Sequence, residues 1–481
     1  MKTMKTIGIL RARDIFLLLV LLSLALSCGS DDNGMDCPDP TNADCDQVGD
    51  DPQDDDPRDD DPVVLEPTLS SVAPVTGPKH TEVVITGENF GTDADKVSVS
   101  FNGSVGEVLG VTDTEVTVKV PVGANTGPIT MEVDGFDLTG PEFVYELTYT
   151  VETFAGNPNE SPGFLDGFGT EARFNRPHDL VKDSKGNIFV ADRRNHAIRK
   201  IAPDGVVSTF AGNGSWGRED GEYTIPQELA IDGDDNIYVA DSGNHRIVKV
   251  DPSGGWTLIA GSSLGYGYVN GPGAGARFSN PTAILLEEGA GGSTLYVSDR
   301  NNHAIRRISL DDDQYTVSTY AGPKIDQREG YVDGALLEAR FHFPRGMANN
   351  GEGTILLADS GNHRIRAIDQ DNESVLTFAG SGDGYESDVP RLDAKFDGAS
   401  DLSVASDGTI YIADTANSCI RRIDPDGHVT TIAGVPKNEG HNDGPGDVAK
   451  FNYPYGVLHT GEGEIYVADT FNHAIRKIII D

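Results

Sequence analysis

The sequence predicts an all-β chain in which a small sandwich precedes a closed six-bladed propeller. Glycine and proline supply 57 and 26 of the 481 residues, and aromatic residues only 7%, which favours turn-rich β structure over a helical protein. Apolar and polar residues alternate in short runs between residues 97 and 133, and one hairpin pattern recurs six times after residue 149. The alternation predicts the sandwich, and the repeat predicts the propeller.

The charge of the chain disfavours two classes of partner. With 77 acidic and 37 basic side chains, the formal net charge is −40. Binding to phosphate backbones and adsorption to anionic lipid both depend on clustered Lys and Arg. We therefore expect no nucleic-acid partner and no electrostatic contact with a membrane surface.

The N-terminus has the composition of an export signal. Basic residues begin the chain, and the apolar run at 15–26 is shorter than the roughly 20 residues of a membrane span. The Leu-Ala-Leu-Ser-Cys sequence at 24–28 resembles a bacterial lipoprotein signal, which implies a signal peptide at 1–27 and lipidation of Cys28. Asp31 and Asp32 resemble the surface-export tag of some Gram-negative lipoproteins. The resemblance implies a lipid anchor in the outer membrane with the chain facing the cell exterior; a retained N-terminal anchor helix is the alternative.

Residues 28–62 are predicted to be an acidic, disordered tether. Fourteen Asp residues lie at 29–62 with almost no large apolar side chain, so folding would not offset the ordering entropy. Cys37 and Cys45 lie in this segment and are candidates for a local disulfide outside the cytoplasm. A calcium site in the Asp runs is the alternative, although no spacing matches a calcium loop with its terminal Glu.

Residues 63–148 are predicted to form the sandwich, because short runs of alternating apolar residues are separated by glycine turns. These runs are Val97, Val99 and Phe101, then Val116, Val118 and Val120, then Ile129, Met131 and Val133. The segments 67–74, 77–78, 83–87 and 90–91 resemble the IPT/TIG immunoglobulin-like family. The resemblance implies a spacer or a binding module.

Residues 149–481 contain six copies of a strand–turn–strand pattern in which an apolar strand ends in Asp and an Asn stands three residues later. The aspartates are Asp192, Asp241, Asp299, Asp359, Asp414 and Asp469. A further strand ending in Ala-Gly follows five copies, while the sixth such strand lies in front, at 151–156. Ring closure requires this displacement, because the N-terminal strand then completes the last four-stranded blade.

The strand, Ala-Asp, Asn-His and Ile-Arg-Lys pattern of these copies resembles the NHL family, which implies a propeller over 149–481. The fifth copy departs from it at Ser418 and Cys419, and Cys419 is expected to be a buried thiol. The histidines that follow the Asn are His196, His245, His303, His363 and His473. Equivalent positions lie around a ring and not at one metal ion, so we expect each histidine to hydrogen-bond within its own blade. Third-strand basic residues such as Arg199 and Arg306 are expected to pair with acidic neighbours.

The candidate binding site consists of the residues that vary at one position of the repeated frame. The first strand of a blade is innermost, so the residues at its start should surround one mouth of the central channel. The candidates are His178, Asp179, Gln227, Glu228, Arg345, Ser400, Asp401 and Tyr455. Variation without function is the alternative. A cation such as calcium, bound by His178 with the three carboxylates, is a further possibility.

Aromatic residues in the connections between blades form a second candidate set. They include Trp216, Tyr266, Tyr268, Tyr331 and Tyr385. Sugar rings stack on such side chains because their C–H faces meet the π surface, and ordinary loop packing is the alternative.

These features favour a non-catalytic surface lipoprotein whose propeller binds an extracellular ligand, with glycan as the first choice. A surface protein is the second choice, in which case the chain would serve in adhesion or as an assembly scaffold. The rival class is a metal-dependent propeller enzyme resembling lyases or lactonases, which would require ligands that converge on one ion. No catalytic residue and no required cofactor is predicted from the sequence.

Overall fold

The computed structural model describes residues 65–289, 292–323, 328–461 and 463–481. Within these ranges the chain is all-β, and its helices are short 3-10 turns. The signal segment, Cys28, Cys37, Cys45 and the Asp-rich tether lie outside the described residues. No helix in the described ranges has the length and apolarity that crossing a membrane requires.

Two sheets packed over one core form the predicted sandwich. Alternate residues such as Val83, Ile85, Val116 and Val118 are fully buried between the sheets, which confirms the expected alternation. One sheet has the strand order Thr68–Ala73, Glu82–Glu88, Glu115–Lys119 and Glu107–Thr112. The other has the order Thr76–Gly77, Phe136–Tyr145, Gly127–Val133, Val97–Phe101 and Ser104–Val105, and a 3-10 turn lies at Ala94–Lys96.

Six antiparallel sheets follow in the described part of the chain, each with four main strands. The first strands are Pro177–Lys182, Pro226–Ile231, Pro281–Gly289, Pro344–Asn349, Asp401–Val404 and Pro454–His459. The second strands are Ile188–Asp192, Ile237–Asp241, Gly292–Asp299, Thr354–Asp359, Ile410–Asp414 and Glu464–Asp469. The third strands are Ala197–Ile201, Arg246–Val250, Ala304–Ser309, Arg364–Asp369, Cys419–Ile423 and Ala474–Ile480. The fourth strands are Val206–Ala211, Trp256–Gly261, Val317–Ala321, Ser374–Ala379, His428–Ala433 and Tyr149–Ala155.

Short elements complete the sheets. Two-residue strands at the outer edge of four sheets are Gly167–Phe168, Gly334–Ala335, Val389–Pro390 and Gly444–Pro445. The 3-10 turns between second and third strands are Arg193–Asn195, Ser242–Asn244, Arg300–Asn302, Ser360–Asn362, Thr415–Asn417 and Thr470–Asn472, and two more lie at Gly169–Glu171 and Gly273–Gly275. Consecutive first strands contact one another, and the last of them contacts the first, so these strands surround the axis of a closed ring.

The ring is closed by the strand that the sequence places near 150–156. Tyr149–Ala155 pairs antiparallel with Ala474–Ile480, with Val151 opposite Ile478. Both of these side chains are buried, so closure seals apolar surface as well as backbone hydrogen bonds. The predicted closure is confirmed.

A buried ion pair joins the second and third strands of each sheet. In the first sheet, Asp192 Oδ2 accepts hydrogen bonds from Asn195 Nδ2 at 2.7 Å and Arg199 Nη1 at 3.0 Å, and Asp192 Oδ1 accepts one from the Asn175 N–H at 2.8 Å. Burial raises the pKa of Asp192 to about 6 although Arg199 lowers it, so the pair is ionised at neutral pH. The corresponding pairs are Asp299–Arg306, Asp359–Arg366, Asp414–Arg421 and Asp469–Arg476. The expected acidic pairing of Arg199 and Arg306 is confirmed.

The second sheet keeps the pair with a different arginine. Val248 is buried on the third strand where the other sheets have the guanidinium. Arg246, two residues earlier, donates from Nε to Asp241 Oδ2 at 2.8 Å instead. An isolated buried carboxylate is costly, and the second sheet avoids this cost by taking its cation from another position.

The recurring histidines connect neighbouring sheets. His196 Nδ1 accepts the backbone N–H of Ile225 at 3.1 Å, and His473 Nδ1 accepts that of Arg176 at 3.1 Å; each donor lies at the entrance to the next sheet of the ring. His245, His303 and His363 do the same. The expectation of hydrogen bonds within one blade was wrong, because His196 has a left-handed backbone (φ 54°) at the end of its turn, where its ring meets the incoming connection.

We predict that the buried cation matters far more to stability than its exposed neighbour. Arg306→Met leaves Asp299 buried without its cation and should lower the free energy of unfolding by about 3–5 kcal/mol. Arg307→Met, on the same strand but exposed, is the matched control and should cost less than about 0.5 kcal/mol. Denaturant unfolding of both variants measures the difference, and equal effects would contradict the role given to the pair.

Candidate functional site

The predicted mouth residues come together from different sheets. The rings of His178 and Tyr455 lie 4.5 Å apart and are tilted by 32°. The Arg345 guanidinium lies 5.2 Å from the centroid of the Tyr455 ring, and it hydrogen-bonds the Tyr455 side chain. Residues of the first, fourth and sixth sheets therefore meet at one mouth of the channel.

Three carboxylates directly follow mouth residues on the first strands, namely Asp179 after His178, Glu228 after Gln227 and Asp401 after Ser400. Each accepts a hydrogen bond from a backbone N–H of the next sheet. Asp179 Oδ2 accepts the Leu229 N–H at 2.8 Å, and Asp401 Oδ2 accepts the Val457 N–H at 2.9 Å. Glu228 bonds the backbone of Ile284 in the same way. These carboxylates thus hold adjacent sheets together as well as lining the channel.

Glycine in two other sheets makes room for these carboxylates. A Cβ on Gly456 would lie 2.7 Å from the His178 carbonyl oxygen and 3.1 Å from Asp179 Oδ1. A Cβ on Gly346 would come within 2.8 Å of the Ser400 carbonyl oxygen. Glycine at these two positions is therefore required by the packing against the next sheet, whereas Ala283 stands at the equivalent position of the third sheet.

The three carboxylates are not all ionised at neutral pH. Burial raises the pKa of Asp401 to about 7. Burial, followed by the charge of Asp401, raises the pKa values of Asp179 and Glu228 well above the usual range. Because each additional charge in the channel repels the others, protons are retained there at pH values where exposed carboxylates have lost them.

The remaining polar candidates are buried near the same mouth. Ser400 donates from Oγ to the Tyr455 carbonyl oxygen at 2.7 Å, so its hydroxyl is used to join two sheets. Gln227 is 5% exposed, and its backbone hydrogen-bonds the His178 ring. Burial, then the charges of Arg193 and Arg345, lowers the pKa of His178 well below its usual range, so the imidazole is neutral.

Two arginines that the sequence analysis did not single out also face this mouth. Arg193 and Arg300 directly follow the motif aspartates of the first and third sheets. Their charges lower the pKa of His178, and the charge of Arg345 lowers the pKa values of both arginines. The other four copies have Ser or Thr there: Ser242, Ser360, Thr415 and Thr470. This difference within the repeat was visible in the sequence and could have identified them.

The loop aromatics divide into two groups. One face of each of three tyrosine rings covers a buried arginine, and their hydroxyls bond threonines. These are Tyr268 over Arg306 at 4.7 Å, Tyr331 over Arg366 at 5.0 Å and Tyr385 over Arg421 at 4.8 Å. Trp216 and Tyr266 are 69% and 74% exposed, in connections that lead into first strands. This second pair is the more exposed, although the Tyr266 ring also contacts the ring of His245 with centroids 5.6 Å apart.

Within the described residues, the potential metal-ligating set that meets a 4.8 Å spacing is His363, Asp383 and Asp397. His363 Nδ1 already accepts the Gly398 N–H at 3.1 Å. His178 and the three channel carboxylates do not form such a set among the residues described. Cys419 is buried with a free thiol, as expected.

We predict that the buried Asp401 destabilises the fold as pH rises. The pKa of Asp401 is about 7 in the folded chain and about 3.8 in the unfolded chain. The stability that protonated Asp401 contributes is therefore fully present below pH 3.8 and is lost as the pH rises through 7. Asp401→Asn removes this term, so its melting temperature should fall less than that of the native chain between pH 5 and 8. If the melting temperatures of both proteins changed equally between pH 5 and 8, the raised pKa of Asp401 would be contradicted.

Family profiles match two parts of the chain. Residues 67–151 match the IPT/TIG domain, and residues 174–201, 224–250 and 396–423 match the NHL repeat. The matched repeats lie in the first, second and fifth sheets of the ring.

Relatives by sequence share the repeat region. The chain is 32% identical over 279 residues to the chloroplastic protein SUPPRESSOR OF QUENCHING 1 of Arabidopsis thaliana, covering 54% of this chain and 26% of that protein. It is 29% identical over 319 residues to NHL repeat-containing protein 2 of Homo sapiens, covering 59% and 43%. The chain therefore spans less than half the length of either relative.

Solved structures share the fold over most of the chain. A Bacteroides thetaiotaomicron protein of unknown function is 24% identical, with a TM-score of 0.57, and the match covers 88% of this chain and 99% of that one. An auxiliary nutrient binding protein of Bacteroides ovatus is 18% identical, with a TM-score of 0.54 and coverage of 87% and 98%. The chain thus consists, in its described part, of an IPT/TIG domain followed by a β-propeller that contains NHL repeats.

Proposed function

We propose that this protein is a non-catalytic, cell-surface lipoprotein whose propeller binds an extracellular glycan at the channel mouth. The observation that carries the proposal is the meeting of unlike polar and aromatic side chains at one mouth, with His178 and Tyr455 in ring contact and Arg345 beside them. The surrounding frame repeats from sheet to sheet, while these positions do not. Variation confined to a concave, polar position is typical of a binding site.

Sugar recognition needs hydrogen-bonding groups together with flat apolar surfaces. The mouth supplies the polar groups, and Trp216 and Tyr266 lie in connections that lead to the first strands that surround it. The rings of Trp216 and Tyr266 are 69% and 74% exposed, so their surfaces are accessible to the C–H faces of a sugar. This combination supports a glycan over a purely ionic ligand.

The order of the domains supports display at the cell surface. A lipid on Cys28, an Asp-rich tether and the IPT/TIG domain would separate the propeller from the membrane. The structural neighbour from Bacteroides ovatus is described as an auxiliary nutrient binding protein, a role that fits capture of a nutrient glycan. That similarity concerns the fold, so the ligand is inferred from the mouth residues.

We predict that binding of a glycan depends on the exposed Trp and on the mouth Tyr. Trp216→Ala or Tyr455→Ala in the full chain, purified in detergent, should weaken binding to glycans identified on an array by at least about tenfold, because each removes a stacking surface. Phe168→Ala is the matched control, since Phe168 is 59% exposed but lies on an outer-edge strand. If Phe168→Ala weakened glycan binding and Trp216→Ala did not, the proposed site would be contradicted. Absence of glycan binding together with capture of a surface protein would favour the scaffold alternative.

A further inference from the structure

The arginines Arg193, Arg300 and Arg345, here called the mouth arginines, form a cluster of like charge. The charge of Arg345 lowers the pKa values of Arg193 and Arg300, and the charge of Arg193 also lowers the pKa of Arg300. All three are close enough to Tyr455 to interact with its side chain. Three positive charges therefore meet at one opening of a protein whose net charge is −40.

The mouth arginines lack the partners that the other buried arginines have. Among the described residues, no carboxylate lies within salt-bridge distance of any of the three, and Glu228 acts on Arg345 only from further away. The Nε atoms of Arg193 and Arg300 are buried without a hydrogen-bond partner in the described part of the chain, but so is the Nε of Arg306, so the difference lies in the missing carboxylate. Arg300 Nη1 donates to the neutral Asn301 Oδ1 at 3.0 Å, and its guanidinium lies 4.2 Å from the centroid of the Phe343 ring. By contrast, Arg306 donates to Asp299 at 2.8 Å in the core of its sheet.

Two of these arginines replace a residue that has a structural use elsewhere in the ring. Thr470 and Thr415 occupy the same position and donate from Oγ1 to the carbonyl oxygens of Pro177 and Pro454 at 2.6 and 2.7 Å. Ser242 makes the same bond to Pro281. Arg193 and Arg300 make no such bond within the described residues, and in the third sheet Thr282 Oγ1 donates to the equivalent carbonyl oxygen, that of Pro344, at 3.3 Å. The two arginines therefore stand where three of the other four sheets use a hydroxyl to join neighbouring sheets.

Half-buried positive charges that repel one another are unfavourable unless an anion joins them. Burial, followed by neighbouring arginine charges, lowers the pKa values of Arg193 and Arg300 to about 10. An oxyanion between the guanidinium groups would relieve this repulsion and accept charge-assisted hydrogen bonds from their N–H groups. Planar guanidinium groups match the two oxygens of a carboxylate and also the oxygens of a sulfate ester.

We propose that the mouth arginines bind the acidic group of a charged sugar, a uronate carboxylate or a sulfate ester. This inference rests on the proposed glycan function and specifies its substrate class. The neutral His178 ring, whose centroid lies 4.5 Å from that of Tyr455, would form an uncharged wall beside the anion. The pyranose ring would extend outward from the arginines towards the connections that carry Trp216 and Tyr266.

The test uses substitutions that the ring itself tolerates. Arg193→Ser and Arg300→Ser restore the residue type found in the other sheets, so folding should be preserved, and an unchanged melting temperature verifies this. Arg307→Ser, which removes an exposed arginine from a third strand, is the charge-matched control. Calorimetry with the full chain in detergent compares trigalacturonate, a sulfated galactose trisaccharide and neutral galactotriose.

We predict that the native chain binds one of the acidic trisaccharides at least about tenfold more tightly than the neutral one. Each serine variant should lose at least about tenfold of that affinity, while Arg307→Ser should lose less than about threefold. Preference for trigalacturonate would identify a carboxylate, and preference for the sulfated sugar a sulfate ester.

Two other results would overturn the inference. One of them leaves the proposed glycan-binding function standing, and the other contradicts it as well. If acidic and neutral sugars bind equally and the serine variants bind like the native chain, the anion site is wrong and the glycan site stands. If no sugar binds in calorimetry or on the array, both fail, even if inorganic sulfate raises the melting temperature of the native chain.

Discussion

Antiparallel pairing of Tyr149–Ala155 with Ala474–Ile480 is the interaction on which the rest of the structure depends. It joins the beginning of the repeat region to the end of the chain, so that the last first strand lies against the first one. Without it, the sixth sheet would expose the edge of its third strand, and Tyr455 would have no fixed position relative to His178. The mouth exists as a site only because the ring is closed.

Within the closed ring, stability and recognition use different residues. The Asp–Asn–Arg set inside each sheet and the histidine contact between most sheets are satisfied by partners in the fold itself. The second sheet shows how strongly this frame is kept, since Arg246 reaches Asp241 from a new position when Val248 replaces the usual arginine. Some residues near the mouth serve both purposes, because Asp179 and Asp401 also accept backbone hydrogen bonds from the next sheet.

The fold could be predicted from the sequence more completely than the contacts of the candidate site. The spacing of the motif aspartates and the displaced strand near Val151 were sufficient for the ring and its closure, because both follow from repetition. Which face of Tyr331 is covered by Arg366 depends on loop paths that no periodicity encodes. The histidine partners were assigned to the wrong sheet for a similar reason, since the left-handed turn at His196 sets the direction of its ring. Arg193 follows a second strand and does not begin a first strand, so a comparison of first strands does not include it, although Arg stands there in place of the Ser or Thr of other copies.

The most direct measurement of the closed ring is a disulfide across its closing strands. Glu152 lies opposite Lys477 in this pairing, and their side chains form a salt bridge of 3.2 Å. In the double variant Glu152→Cys/Lys477→Cys, mild oxidation should give an intrachain link between these two positions, found by mass spectrometry of the digested monomer. Pairing of the N-terminal strand with the sandwich would leave both cysteines unlinked, and the proposed mouth could then not form.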